Sequence, residues 1–195
     1  MRNQKLIIMI EGAIIAGVCV ALSYIPLNTT NADFDISLGL IPLGVYALRR
    51  GAPPALAVGL IWGLLLILLG KAFILSVPQV ILEYPVAFAF GGLGGLFCMK
   101  LKRLLQTSQT SQPPQAFRIT ATITFAALTA TVARWFFRFW AGVIFWGGYA
   151  PENMNPYLWS FLFNGASALA NAVVVAVVLT VLVRTAPRLF KAFDA

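Results

Sequence analysis

The sequence predicts an all-α integral membrane protein, a single bundle of six transmembrane helices with both termini in the cytoplasm. Three observations carry that expectation. The 195-residue chain is 60% apolar before its 16 glycines are counted, and only 10% charged. A water-soluble domain holds about 45–50% apolar residues with glycine included, and about 25% charged. Polar surface is therefore too scarce to coat a soluble particle, while runs long enough to cross a ~30 Å hydrocarbon layer recur along the chain. Third, the net charge of +8 is gathered in short clusters between those runs: Arg2 and Lys5, Arg49 and Arg50, Lys100, Lys102 and Arg103, Arg118, then Arg184, Arg188 and Lys191. With six spans, these eleven basic residues share one side, while Lys71 alone joins Asp33, Asp35 and Glu152 on the other. The positive-inside rule makes the basic side cytoplasmic.

Each span has its own signature. The first is expected over 6–27, about 33 Å at ~1.5 Å per residue. Its basic flank and Ala21-Leu22-Ser23 resemble a secretory leader, but a run this long that also contains Glu11 reads as a retained span. Residues 28–35 collect turn formers and acids and form an external segment. The second span, 36–48, is short, and Pro42 is expected to interrupt its hydrogen bonding. Gly51-Ala52-Pro53-Pro54 turns the chain into a third span that ends at Leu69. The fourth, 73–99, carries Pro78, Glu83 and Pro85, and Pro85 predicts irregular backbone. Residues 106–115, rich in Thr, Ser and Gln, form a cytoplasmic linker. Spans five (117–145) and six (157–183) flank an outer loop whose aromatics suit a membrane interface. The β-branched run 173–183 reads as helix, since no polar break confines it to strand length. The whole of 1–195 is thus expected to be one transmembrane domain.

Several classes of chemistry are excluded. The chain has no histidine, which removes Ser-His-Asp, Cys-His and HExxH arrangements together. Cys19 and Cys98 lie far apart in apolar runs and read as small buried hydrophobes. Gly70-Lys71 fails the phosphate-loop pattern at its first and last positions, so any ATP that drives this protein is hydrolysed by another chain. The basic clusters form no continuous face for nucleic acid. No internal repeat of the kind that builds solitary two-fold transporters is evident.

Polar residues in the apolar phase carry what remains. Glu83, inside span four, is costly there unless it is paired or faces a wet cavity, which leaves a salt bridge to Arg134 or Arg138 and a ligand contact as its two readings. Arg134 and Arg138 share one face of span five at i,i+4, near the outer interface, where snorkelling and a ligand role are equally open. Trp146, Tyr149 and Trp159 offer flat walls to a pocket open to the outside. Aromatic walls with a buried carboxylate suit a planar, cationic or amide-rich small molecule. Asn164 is placed to meet a ligand, whereas Asn171, two turns further in, is expected to bridge helices. In span one, Ala13, Gly17 and Ala21 form a stripe of small residues, with Gly12 and Ala16 starting an adjacent one. Either surface permits close helix approach, within the bundle or to another membrane protein.

Glu11-Gly-Ala-Ile-Ile-Ala16, Leu48-Arg-Arg-Gly51, Ile61-Trp-Gly-Leu64, Glu83-Tyr-Pro-Val-Ala-Phe88, Ala133-Arg-Trp-Phe-Phe-Arg138 running on through Phe145-Trp-Gly-Gly-Tyr-Ala-Pro151, and Asn164-Gly-Ala-Ser-Ala168 resemble, in order along nearly the whole chain, the thiamine-specific substrate-binding (S) component of energy-coupling factor transporters. The resemblance implies a six-helix protein of the cell membrane that binds its vitamin from the extracytoplasmic side, without a cofactor and without catalysis. It also implies a separate transmembrane coupling subunit and two cytoplasmic ATPase subunits as partners. Carried over by position, it makes Glu83 the carboxylate that meets thiamine beside Tyr84, Trp146 a stacking wall, Asn164 a polar contact and Arg134 a retained basic residue. Trp159 stands where the family has tyrosine, and Phe34 with Asp35 occupies the region of an external Trp and Glu. Arg138 replaces a family histidine, and pairing with Glu83 is the arrangement expected to keep its charge compatible with a thiazolium. The stripe of Ala13, Gly17 and Ala21 becomes the expected docking face for the coupling subunit. The alternatives are a thiamine precursor or another vitamin in the same kind of subunit, a membrane enzyme using Glu83 as acid or base, and a structural assembly subunit.

Overall fold

The computed structural model describes residues 4–25, 27, 35–106 and 113–191, and all secondary structure among them is helical. Six helices follow one another: α1 Gln4–Leu22, α2 Leu40–Arg50, α3 Ala52–Leu68, α4 Val77–Gln106, α5 Pro113–Phe145 and α6 Pro156–Thr185. Of these, α1, α4, α5 and α6 are long and apolar enough to cross a membrane, and α3 is a shorter apolar helix of 17 residues. The chain alternates direction, so the basic clusters meet at one end. There Glu11 of α1 bridges Arg49 (2.9 Å) and Arg50 (2.6 Å) of α2. Arg49 Nη1 also donates to the carbonyls of Arg188, Leu189 and Lys191, which fastens the chain beyond α6 to the same point. Glu11 is thus an interhelical contact rather than a snorkelling side chain.

The helix starts correct two expectations. Pro42 lies in the first turn of α2, where its missing N–H has no intrahelical acceptor to lose, so it does not interrupt the helix. Pro53 and Pro54 likewise open α3 rather than form the turn before it, which is made at Gly51 with φ 93°. The linker expected over 106–115 is already helical from Pro113, and 107–112 lie outside the described residues.

Eleven residues of α2 cover about 17 Å, roughly half the hydrocarbon thickness. The missing half is supplied by the non-helical stretch Asp35–Gly39. Three of its backbone polar groups are met by side chains of α6, in keeping with the need to satisfy backbone at membrane depth. Asn171 Nδ2 donates to the Asp35 carbonyl (2.7 Å), Asn171 Oδ1 accepts from Ser37 N–H (2.8 Å), and Asp35 N–H donates to Ser167 Oγ (3.2 Å). Asn171 is therefore a bridge, but to the non-helical backbone before α2 rather than to a second helix as its position predicted.

The fourth helix is irregular as Pro85 implied. Residues Leu82–Val86 form a π turn, and Gly91–Phe97 tighten into a 3₁₀ stretch before the helix resumes. A proline without an N–H leaves one carbonyl a turn back without its helical donor, and a widened turn is a common response. Gly63 of α3 sits directly under this turn. A Cβ there would lie 2.6 Å from the Tyr84 carbonyl carbon and 2.7 Å from Pro85 Cα, so only glycine allows α3 and α4 to meet where Glu83 is presented. Cys19 and Cys98 are both buried, in keeping with their reading as small hydrophobes.

Candidate functional site

A cavity of about 460 Å³ opens at the end of the bundle opposite the basic clusters. Five helices and the segment before α2 line it: Leu22 and Ser23 at the end of α1, Asp35–Leu38 before α2, Leu66 from α3, Glu83 and Tyr84 from α4, Arg134, Arg138 and Gly142 from α5 with Trp146 just beyond it, and Trp159, Ser160 and Asn164 from α6. Of the residues singled out in the sequence, Asp35, Glu83, Tyr84, Arg134, Arg138, Trp146, Trp159 and Asn164 line this one space. Tyr149 does not. It is 66% exposed and rests on the far side of Trp146, with ring centroids 5.6 Å apart. Phe34 lies outside the described residues.

The pairing of charges differs from expectation. Glu83 bonds no arginine. Its Oε1 accepts from Trp146 Nε1 and its Oε2 from Gln79 Nε2, each at 2.5 Å. Arg138 and Arg134 instead share Asp35 Oδ2, at 3.1 and 3.5 Å. The helical repeat explains the choice: Arg134 and Arg138, one turn apart on α5, face the non-helical segment before α2, and that segment brings its own carboxylate. Snorkelling is also excluded for Arg134, whose side chain is 6% exposed and lies over the Phe88 ring, 4.3 Å from its centroid. The structure thus separates two carboxylates. Asp35 is consumed in an ion cluster with two arginines, and Glu83 is held by neutral N–H donors with its charge uncompensated by a bonded cation.

Around Glu83 the walls are aromatic. Trp146 and Trp159 line the cavity, and Phe73 packs on Trp146 with centroids 5.3 Å apart. On the α6 side, Asn164 Nδ2 donates to Ser160 Oγ (3.2 Å), whose own hydroxyl donates to the Phe139 carbonyl (2.8 Å). Gly142 makes this close approach of α5 and α6 possible, since a Cβ there would collide with Ser160 Oγ. Sequence reasoning missed Gln79, Phe73, Lys71, Gly142 and Ser160. Lys71 and Phe73 sit on the outer loop between α3 and α4, where nothing in the local pattern marks a fold over a cavity. Gln79 at i−4 from Glu83 was legible as a helical neighbour.

The two small-residue stripes of α1 separate cleanly. Gly12 and Ala16 are buried, and a Cβ on Gly12 would touch Tyr46 and Val58. Ala13, Gly17 and Ala21 are exposed, and a Cβ on Gly17 would meet no atom within 4 Å.

Six helices, four of them long and apolar enough to cross a membrane, around a polar and aromatic cavity define an integral membrane protein with a small-molecule site at one end of its bundle. Comparison with known proteins places it further. The chain matches the thiamine transporter protein family (Thia_YuaJ) over residues 9–191, and it belongs to that family. It is 39% identical to the thiamine transporter ThiT of Lacticaseibacillus paracasei, covering 99% of this chain and 94% of that protein. Against ThiT of Bacillus subtilis it is 26% identical, covering 100% of this chain and 99% of the other. Its fold superposes on the solved structure of ThiT from Listeria monocytogenes with a TM-score of 0.90 at 39% identity, covering 97% of this chain and all of that one. The family is one of transporters, not of enzymes.

Proposed function

We propose that this chain is the membrane-embedded substrate-binding subunit of an ATP-driven vitamin uptake system, and that it takes thiamine from the extracytoplasmic side. The observation that carries this reading is the Glu83 carboxylate, held by N–H donors and flanked by Trp146 and Trp159 inside a membrane bundle of the thiamine transporter family. Thiamine joins a cationic thiazolium to an aminopyrimidine. Glu83 compensates the cation, the two indoles enclose the rings, and Asn164 with Tyr84 orients the polar edge. Arg134 and Arg138 are both bonded to Asp35 in the cavity wall, so Arg138 makes no hydrogen bond to Glu83 and leaves the carboxylate oxygens open to the ligand. No bond is made or broken. Energy comes from two cytoplasmic ATPase subunits through a transmembrane coupling subunit, and the exposed face of Ala13, Gly17 and Ala21 is where that subunit docks. The basic end of the bundle faces the cytoplasm of a prokaryotic cell.

Native mass spectrometry of gently purified protein tests the ligand without a prior guess. A retained molecule with the mass of thiamine is expected. Retention of a different vitamin, displaced by none of the thiamine added, would overturn the ligand and leave the class of subunit standing.

A further inference from the structure

Gln79 lies in the first turn of α4 and is fully buried. An amide inside a membrane bundle is costly unless its polar atoms are met, and here the partners also fix which way it points. Gln79 Oε1 accepts from the Leu75 N–H at 3.0 Å. The amide nitrogen is thereby turned the other way, where it donates to the Phe73 carbonyl (3.3 Å) and to Glu83 Oε2 (2.5 Å). The reverse orientation would set the amide oxygen against a carbonyl and a carboxylate, both acceptors, and would leave the Leu75 N–H facing a second donor. The backbone of the outer loop therefore decides that Gln79 offers Glu83 a donor.

The opposite carboxylate oxygen is held by Trp146 from α5, so donors from two helices pin the group at both ends. A carboxylate accepts about four hydrogen bonds, which leaves each oxygen capacity for a ligand. The same loop is tied a second time to the neighbouring residue, since Phe73 N–H donates to Tyr84 Oη at 3.0 Å. Its Phe73 and Lys71 line the cavity. We infer that Gln79 is a positioning residue of the binding site, which aims the Glu83 carboxylate into the cavity and links that aim to the seating of the loop that carries Lys71 and Phe73. The ligand contact is made by Glu83, and Gln79 acts through it. This rests on the thiamine reading above.

The test is a double-mutant cycle in thiamine affinity, measured by calorimetry on purified wild type, Gln79→Met, Glu83→Ala and the double variant. Gln79→Met is expected to weaken thiamine about tenfold, the scale of one lost hydrogen bond to a charged group, while changing affinity less than about twofold in the Glu83→Ala background. An equal factor in both backgrounds would assign Gln79 a general structural role and overturn the inference. So would no effect in either. If Gln79→Met does not yield folded protein, Gln79→Asn keeps a buried amide but withdraws it by one carbon, and the same two outcomes decide. Wild type that binds no thiamine would fail the parent reading, and this inference with it. Wild type that binds normally, with additive variants, would fail this inference alone.

Discussion

Replacing Asp35 by Asn should destabilise the unliganded bundle more than any other single loss of charge at the cavity. The carboxylate oxygen Oδ2 serves two guanidiniums at 3.1 and 3.5 Å, and Arg134 is 5% exposed with a buried Nε that has no hydrogen-bond partner among the described residues. Removing one member of a buried pair leaves an uncompensated charge, at about 3–5 kcal/mol. Asp35 and Arg138 keep 23% and 25% side-chain exposure, so the expected cost is reduced to about 2–4 kcal/mol. At the size of this chain that corresponds to an apparent melting point lower by roughly 5–15 °C. The assay is thermal unfolding in detergent, followed by tryptophan fluorescence. Arg138→His is the control, because it leaves the Arg134–Asp35 pair in place and should cost less than half as much. A melting point for Asp35→Asn within 2 °C or so of wild type at neutral pH would refute the reasoning.

Three further outcomes follow from the same geometry. Glu83→Gln keeps the shape of the side chain and removes its charge, and should weaken thiamine by about 1–3 kcal/mol in a quenching titration; an unchanged dissociation constant would take Glu83 out of the site. Ala13→Trp and Gly17→Trp add bulk to an exposed face where a Cβ on Gly17 meets nothing within 4 Å, so binding should stay normal while co-purification with a coupling subunit and uptake fail. Single cysteines at Ser111 and Asn153 in a cysteine-free background should be labelled by an impermeant reagent on intact cells only at 153, and labelling of 111 alone would invert the topology.

Much of this architecture was legible because it follows from solvation. Charge placement and apolar length gave the six helices in order, and Pro85 announced the irregular turn beside Glu83. Asn171 could be read as a bridge from its depth alone. What the sequence withheld was pairing across the bundle. Asp35 and Arg138 are 103 positions apart, and although the second span reads as short, nothing local says that this brings Asp35 to the level of Arg138. With Asp35 counted as an external acid, Glu83 was the only carboxylate left for the arginines. The outer loop was hidden for a similar reason. Lys71 and Phe73 fold over the cavity through Gln79 and Tyr84, contacts that depend on how α4 begins rather than on any pattern within 69–76. The small-residue stripes show the same limit, since both permit close approach and only the packing of α1 decides which one is used inside.

The central claim is that this cavity binds thiamine between two tryptophans and a carboxylate. The most direct measurement is a fluorescence titration of the purified wild-type protein with thiamine and with a panel of unrelated vitamins, repeated on Trp146→Phe and Trp159→Phe. Saturable quenching by thiamine alone, with most of its amplitude lost when those two indoles are replaced, is the predicted result. Saturable quenching by another vitamin with none by thiamine, or a thiamine response that survives loss of both tryptophans, would contradict the account.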